Sequence, residues 1–137
     1  PEKESSSRVF VLARHPRTAV GVRADGTLLF VTVDGRRPDE SVGMSLRELT
    51  DLMIELGCVS ANNLDGGGST TLWGAGEIYS GVLNYPSDNG KYDHLGERSC
   101  SNAIAIESTG VSPKQCSMWN AGSPAVEIGQ EVDAVQL

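Results

Sequence analysis

No stretch of this chain approaches the roughly 20 consecutive apolar residues that a helix needs to cross a bilayer. The polar start Pro1-Glu2-Lys3-Glu4-Ser5-Ser6-Ser7 also lacks the apolar segment of a secretory signal. A soluble domain is therefore expected. Positive charge is scarce as well: 11 basic against 18 acidic residues give a formal net charge of −7. That balance argues against non-specific nucleic-acid binding, which draws most of its affinity from a basic footprint, so any anionic ligand must be held locally. Cysteine is sparse, and Cys58, Cys100 and Cys116 are odd in number with no C-x-x-C pair. They make neither a complete disulfide framework nor a cysteine zinc site, and at most one bridge can form. Cys58 reads as a small buried hydrophobe with a free thiol. At 137 residues the chain has length for one compact domain and none for a second.

What is present in quantity is glycine, concentrated in Asn62-Asn63-Leu64-Asp65-Gly66-Gly67-Gly68-Ser69-Thr70-Thr71. Three successive residues without a Cβ let the backbone turn sharply and approach something closely. Exposed N–H groups followed by hydroxyls are donors suited to an anion such as phosphate or carboxylate, although a flexible link between two strands has the same composition. Three familiar glycine loops do not fit. A Walker loop needs a Lys where Ser69 stands, a dinucleotide fingerprint opens a helix where Thr70-Thr71-Leu72-Trp73 has strand character, and no glycine closes a nucleophile elbow after Ser69.

The remaining pattern is that of an α/β (mixed α+β) domain, a strand-rich mixed sheet with one main covering helix. Val9 to Ala13 has strand character and is broken by Pro16. Thr18–Arg23 and Thr27–Val33, joined through Ala24-Asp25-Gly26, make a hairpin. A helix is expected from Leu46 to Leu56: Ser45 and Glu48 form a capping box, Leu46, Leu49, Met53 and Leu56 share a face, and Gly57 supplies the stop. Further strands are expected over Cys58–Leu64, Thr70–Trp73, Ile78–Leu83 and Ser101–Glu107, with a weak one over Glu131–Leu137. Two polar stretches, 34–43 and 84–98, read as loops. The second is long, and its Tyr85 and Tyr92 among Asn, Asp, His and Arg suit a sugar face.

Arg14-His15-Pro16-Arg17-Thr18-Ala19-Val20-Gly21, Leu64-Asp65-Gly66-Gly67-Gly68-Ser69, Asn84-Tyr85-Pro86-Ser87-Asp88, and Gly96-Glu97-Arg98 through Ser101-Asn102-Ala103-Ile104 occur in this order. Together they resemble the phosphodiester glycosidase family. The resemblance implies hydrolysis of a sugar, such as N-acetylglucosamine, linked through its anomeric carbon to a phosphodiester. It implies a secreted, periplasmic or lumenal setting. The Asn-Gly-Gly-Phe-like segment of the family's N-terminal half is not found here, so the chain resembles the C-terminal half of that domain. Residues 1–107 are assigned to this half-domain and 108–137 to an extension packing on it. The missing N-terminal half or a partner chain is the implied protein partner.

Glycoside hydrolysis usually employs two carboxyl groups, but a phosphate is already a good leaving group, and guanidiniums that neutralise it replace much of the acid's work. Asp65 is the candidate nucleophile or base, the other reading being that it orders its own turn. Arg98 and Arg14 are the candidate phosphate forks, with Arg17 weaker and an ion pair of Arg98 with Glu97 or Asp88 as the plainer reading. His15, and less so His94, suit proton transfer near neutrality. The substrate-binding set is Arg14, Gly66, Gly67, Gly68, Ser69, Asn84, Asp88 and Asn102. Asp65, the three glycines, Arg14, Arg98 and Asn102 are expected to converge on one cleft. No cofactor is implied; Asn62, Asp65 and Asp88 are oxygen donors for calcium, but their spacing matches no EF-hand. The alternative is a non-catalytic carbohydrate- or phosphate-binding module.

Overall fold

The computed structural model describes residues 8–75, 79–106, 114–118 and 126–131. It divides into two compact units, Pro1–Ser99 and Cys100–Leu137. The first unit holds helix α1 (Arg8–Leu12), strands β1 (Arg17–Arg23) and β2 (Leu28–Val33), helix α2 (Leu46–Glu55) and strand β3 (Cys58–Asn63). The second holds an antiparallel pair, β4 (Lys114–Met118) and β5 (Val126–Glu131).

The first unit is a mixed alpha/beta arrangement, an antiparallel sheet in the order β2-β1-β3 with one main helix against it. β1 and β2 pair from Arg17↔Val33 to Val22↔Leu28. Their turn is closed by Asp25, whose carboxylate accepts the Thr27 N–H. α2 starts where its capping box requires: the Glu48 N–H donates to the Ser45 hydroxyl and the Ser45 N–H donates back to the Glu48 carboxylate (2.9 Å). Its apolar face buries Leu49, Leu52 and Met53 against Ala19 and Val33, flanked by Leu46, Leu56 and Cys58. Each such side chain contributes roughly 1.5–3 kcal/mol by leaving water. Gly21 on β1 is what lets helix and sheet come this close, since a Cβ there would lie 2.6 Å from both Cys58 Sγ and Met53 Cε.

Several expected elements take other forms. The apolar run at Val9 is helical, with Ala13 N–H bonded to Val9 O (2.8 Å). Its terminal carbonyls decide this. Phe10 O and Ala13 O both accept from Arg17 Nη2 at 2.6 and 3.0 Å, and the guanidinium lies 4.4 Å above the Phe10 ring. A helix end presents such unpaired carbonyls to a cation, and a short apolar run carries no periodicity that separates helix from strand. Thr70–Trp73 is not a ladder strand; a single bridge Trp73↔Val82 and the Leu83 N–H to Leu72 O bond hold it, while the Asn84 side chain takes the Leu72 N–H. Tyr79–Gly81 is a 3-10 turn and Ile78 lies outside the described residues. The described residues 101–106 form no strand, with Ile104 and Ile106 exposed. Glu131 ends β5, and residues 132–137 lie outside the described set.

Candidate active site around the glycine loop

β3 carries the chain out of the sheet into Asp65. The loop is fastened at its base: Leu64 N–H donates to Thr18 O (2.8 Å) and Gly67 N–H to Pro16 O (2.9 Å), so β1 and the turn before it form its floor. A 3-10 turn then spans Gly67–Ser69. Asp65 is exposed, and its Oδ1 accepts the Gly66 N–H (2.9 Å). The carboxylate thus orders its own turn through one oxygen while remaining open to solvent.

The three glycines do something different from presenting bare N–H groups. Each makes room for a different segment. A Cβ on Gly66 would lie 2.8 Å from the Pro16 carbonyl, and one on Gly67, at φ +63°, would lie 2.7 Å from Arg36 Nη2. A Cβ on Gly68 would fall inside the Asp88 carboxylate. No side chain fits at these positions without moving a neighbour, so the triple glycine is the node where three loops meet.

Two guanidiniums flank this node. Arg98 donates from Nη2 to Ser69 Oγ and pairs through Nη1 with Asp88 Oδ2 at 3.3 Å. Arg36 lies over Gly67 and reaches Ser87 Oγ at 3.5 Å. Arg36 stands in a polar, turn-rich stretch that reads as surface loop, and only its long-range approach to Gly67 reveals it. Its φ of +63° is a left-handed value uncommon for a side chain of this size.

Asn84 is the strut behind the loop. It is buried, its Nδ2 donates to Thr70 O and to Asp34 Oδ1 (both 3.0 Å), and its Oδ1 accepts the Leu72 N–H at 2.7 Å. Its amide hydrogens are both spent inside the fold. Asp34, which sequence reading passed over, also accepts the Tyr85 N–H (3.1 Å), and burial pushes its pKa up against the opposing pull of these bonds. The 84–98 loop is held by ring contacts: Tyr79 stacked on His94 (4.3 Å), Tyr85 stacked on Tyr92 (4.1 Å) and His94 tilted against Tyr85 (4.3 Å), with His94 Nδ1 at 2.9 Å from Asn84 O.

His15 is half-buried, stacked on Phe10 at 5.0 Å, with Nδ1 buried and unpartnered. Burial first, then the Arg36 and Arg17 cations, push its pKa below the ordinary histidine value. This shift favours the neutral imidazole, on the Arg36 side of the loop. Arg17 is fully buried and tied to backbone carbonyls. Arg14 is exposed and engages Glu48 through both Nε (3.0 and 3.1 Å) and Nη2. The structure thus brings together Asp65, Gly66, Gly67, Gly68, Ser69, Asp88 and Arg98, with Asn84 behind them, whereas Arg14 is committed to the α2 cap. Asn102 belongs to the second unit. Among the described residues no three His, Cys, Asp or Glu side chains gather as a metal cluster, and no helix is long and apolar enough to cross a membrane.

The sequence is similar to known proteins over most of its length. A family model for phosphodiester glycosidase matches residues 1–107. The N-acetylglucosamine-1-phosphodiester alpha-N-acetylglucosaminidase of Bos taurus is 33% identical over 119 residues, 85% of this chain and 21% of that protein. The Homo sapiens enzyme of the same name is 30% identical over 84% of this chain and 21% of its own length. An uncharacterized SPbeta prophage-derived protein of Bacillus subtilis strain 168 is 47% identical over 42% of this chain and 9% of its own. A solved structure from Burkholderia pseudomallei K96243, assigned as an exported protein, superposes with a TM-score of 0.50 at 44% identity, covering 61% of this chain and 15% of that one. The chain spans about a fifth or less of the length of these relatives.

Proposed function

The chain belongs to the phosphodiester glycosidase family, and from that premise we propose that its glycine-loop site hydrolyses the bond between a sugar's anomeric carbon and the phosphate of a phosphodiester. N-acetylglucosamine is the sugar we assign, following the names of the mammalian relatives. The observation that carries the reading is an exposed carboxylate, Asp65, at one end of a glycine loop whose other end is held by the Arg98 guanidinium.

In this mechanism Asp65 is the nucleophile or base at the anomeric carbon, and water ends on the sugar as the C–O bond to phosphate breaks. The departing phosphate monoester leaves as an anion, so charge-assisted bonds from guanidinium and Ser69 suit it better than a strong acid does. His15, its pKa lowered by burial and by the neighbouring cations, is assigned as a proton acceptor.

The activity is assigned to the domain completed by the family's N-terminal half, in a secreted, periplasmic or lumenal setting. Support comes from β3, whose outer edge has no neighbour among the described residues and whose Val59 to Asn63 are exposed. Leu64 N–H points to β1, so by alternation those of Asn62 and Ser60 do also, while Ala61 and Asn63 turn their backbone groups outward. A groove of about 260 Å³ lies beside this edge, between Leu46, Leu49, Met53 and Ile54 of α2 and Val59 and Ala61 of β3. The edge carries no Lys or Pro along 59–63, and past the irregularity at Val59 its 60–63 stretch invites a further strand.

Asp65→Asn tests the chemistry in the complete domain, because Asn keeps the shape but not the carboxylate. A loss of roughly a hundredfold or more in kcat at unchanged stability is expected. Near-full turnover would remove Asp65 from the mechanism, and no turnover of any glycosyl phosphodiester by the complete wild-type domain would favour a non-catalytic binding module.

A further inference from the structure

We propose that Arg36 and Arg98 form a two-sided clamp that takes the substrate's phosphate over Gly67–Ser69, and that Asp88 is the internal anion which this phosphate displaces. The inference rests on the glycosyl phosphodiester reading and assigns the residues that read the phosphate within it.

Three observations converge on it. First, the two guanidiniums meet the loop at positions two residues apart, Arg36 at Gly67 and Arg98 at Ser69, on a single 3-10 turn with a rise of roughly 2 Å per residue. They are also joined from behind: Arg36 reaches Ser87 Oγ, and the next residue, Asp88, pairs with Arg98.

Second, Arg36 is held there against its own backbone preference. A non-glycine residue at φ +63° is uncommon and persists only where the surroundings over-determine it. Arg37 supplies the restraint by bonding Arg36 O (2.7 Å) and Ser87 O (3.0 Å) at once. Ser87 and Pro86 are buried, so this brace is anchored in the fold. An exposed, strained arginine over a glycine is better explained by recognition of an oxyanion, whose paired oxygens match the planar guanidinium fork, than by packing.

Third, the space over Gly68 is filled by a carboxylate. Asp88 is a flexible side chain, half-exposed, and its Oδ2 takes one Nη1 of Arg98. A carboxylate offers a guanidinium the same pair of oxygens as one face of a phosphate. The anionic oxygens of an entering phosphodiester bridge Arg98 and Arg36, and their charge repels Asp88 from the loop.

The test is titration of inorganic phosphate and of N-acetylglucosamine 1-phosphate, at low ionic strength, into the wild-type chain and three variants, with thermal midpoints recorded for each. Arg36→Lys keeps the charge and loses the fork, so affinity for both anions is expected to fall about tenfold. Asp88→Asn removes the competing anion at constant shape and is expected to tighten binding severalfold. Arg47→Lys, exposed on α2, changes nothing. Equal binding by wild type and Arg36→Lys at matched midpoints overturns the clamp while leaving the glycosidase reading standing. Weaker binding by Asp88→Asn shows Asp88 to be a structural support for Arg98 and overturns its role as displaced anion. Absence of phosphate binding by the wild type overturns the clamp, and turnover by the complete domain then decides the glycosidase reading separately.

Discussion

Gly66 and Gly68 are chemically identical and two positions apart, yet replacing them has different costs because of what each approaches. A Cβ on Gly66 meets the backbone carbonyl of Pro16, at the fastened base of the loop. Backbone cannot rotate away, so Gly66→Ala is expected to destabilise the unit by about 1–3 kcal/mol. A Cβ on Gly68 meets only the end of the Asp88 side chain, which swings clear. Gly68→Ala is therefore expected to cost under about 1 kcal/mol while breaking the Asp88–Arg98 pair, an exposed contact of little stability value. Denaturant midpoints of the two variants check this, and equal costs would deny the distinction. Residue chemistry made the Asp-Gly-Gly-Gly-Ser-Thr cluster visible in sequence. The neighbours that require the glycines were not visible, because Pro16, Arg36 and Asp88 come from segments far away along the chain.

At the scale of elements, α2 is the best specified, and the reason is local. Its cap, stripe and stop all lie within 13 residues, from Ser45 to Gly57. Arg14 adds a long-range tie, and with the Ser45 N–H and hydroxyl it holds Glu48 at about 2, below its ordinary 4.5. The unfolded chain takes up this proton first, so the stabilisation is complete above about 4.5 and is lost as pH falls toward about 2. Glu48→Gln is expected to flatten that acid limb of the stability curve and to leave little salt dependence, since the pair is exposed and screened. An acid limb unchanged by Glu48→Gln would assign the acid loss elsewhere. The hairpin β1–β2 was as legible as α2, again because its turn chemistry is local. The runs at Val9 and Thr70 were not, since each takes its form from a side-chain partner that periodicity does not show: the Arg17 guanidinium at the helix end, or the Asn84 amide.

For the molecule as a whole, β3 links the scaffold to the proposed chemistry, since it lies at the edge of the described sheet and leads into Asp65. A strand from the family's N-terminal half, laid along this edge, would order both sides of the ladder that carries the loop and cover the groove against α2. Ala61→Pro tests this with little disturbance of the chain itself, because by alternation the Ala61 N–H points away from β1 and proline is tolerated at such an edge position. In the isolated chain the substitution is expected to shift stability by no more than about 0.5 kcal/mol. In the proposed completed domain, where the same N–H would be bonded to the added strand, the loss is expected to reach about 1–3 kcal/mol with a matching fall in turnover. Urea denaturation of both forms, with and without the substitution, gives the comparison. A cost that is the same in the two contexts would mean that the outer edge of β3 stays unpaired and that Asp65 is held by the first unit alone.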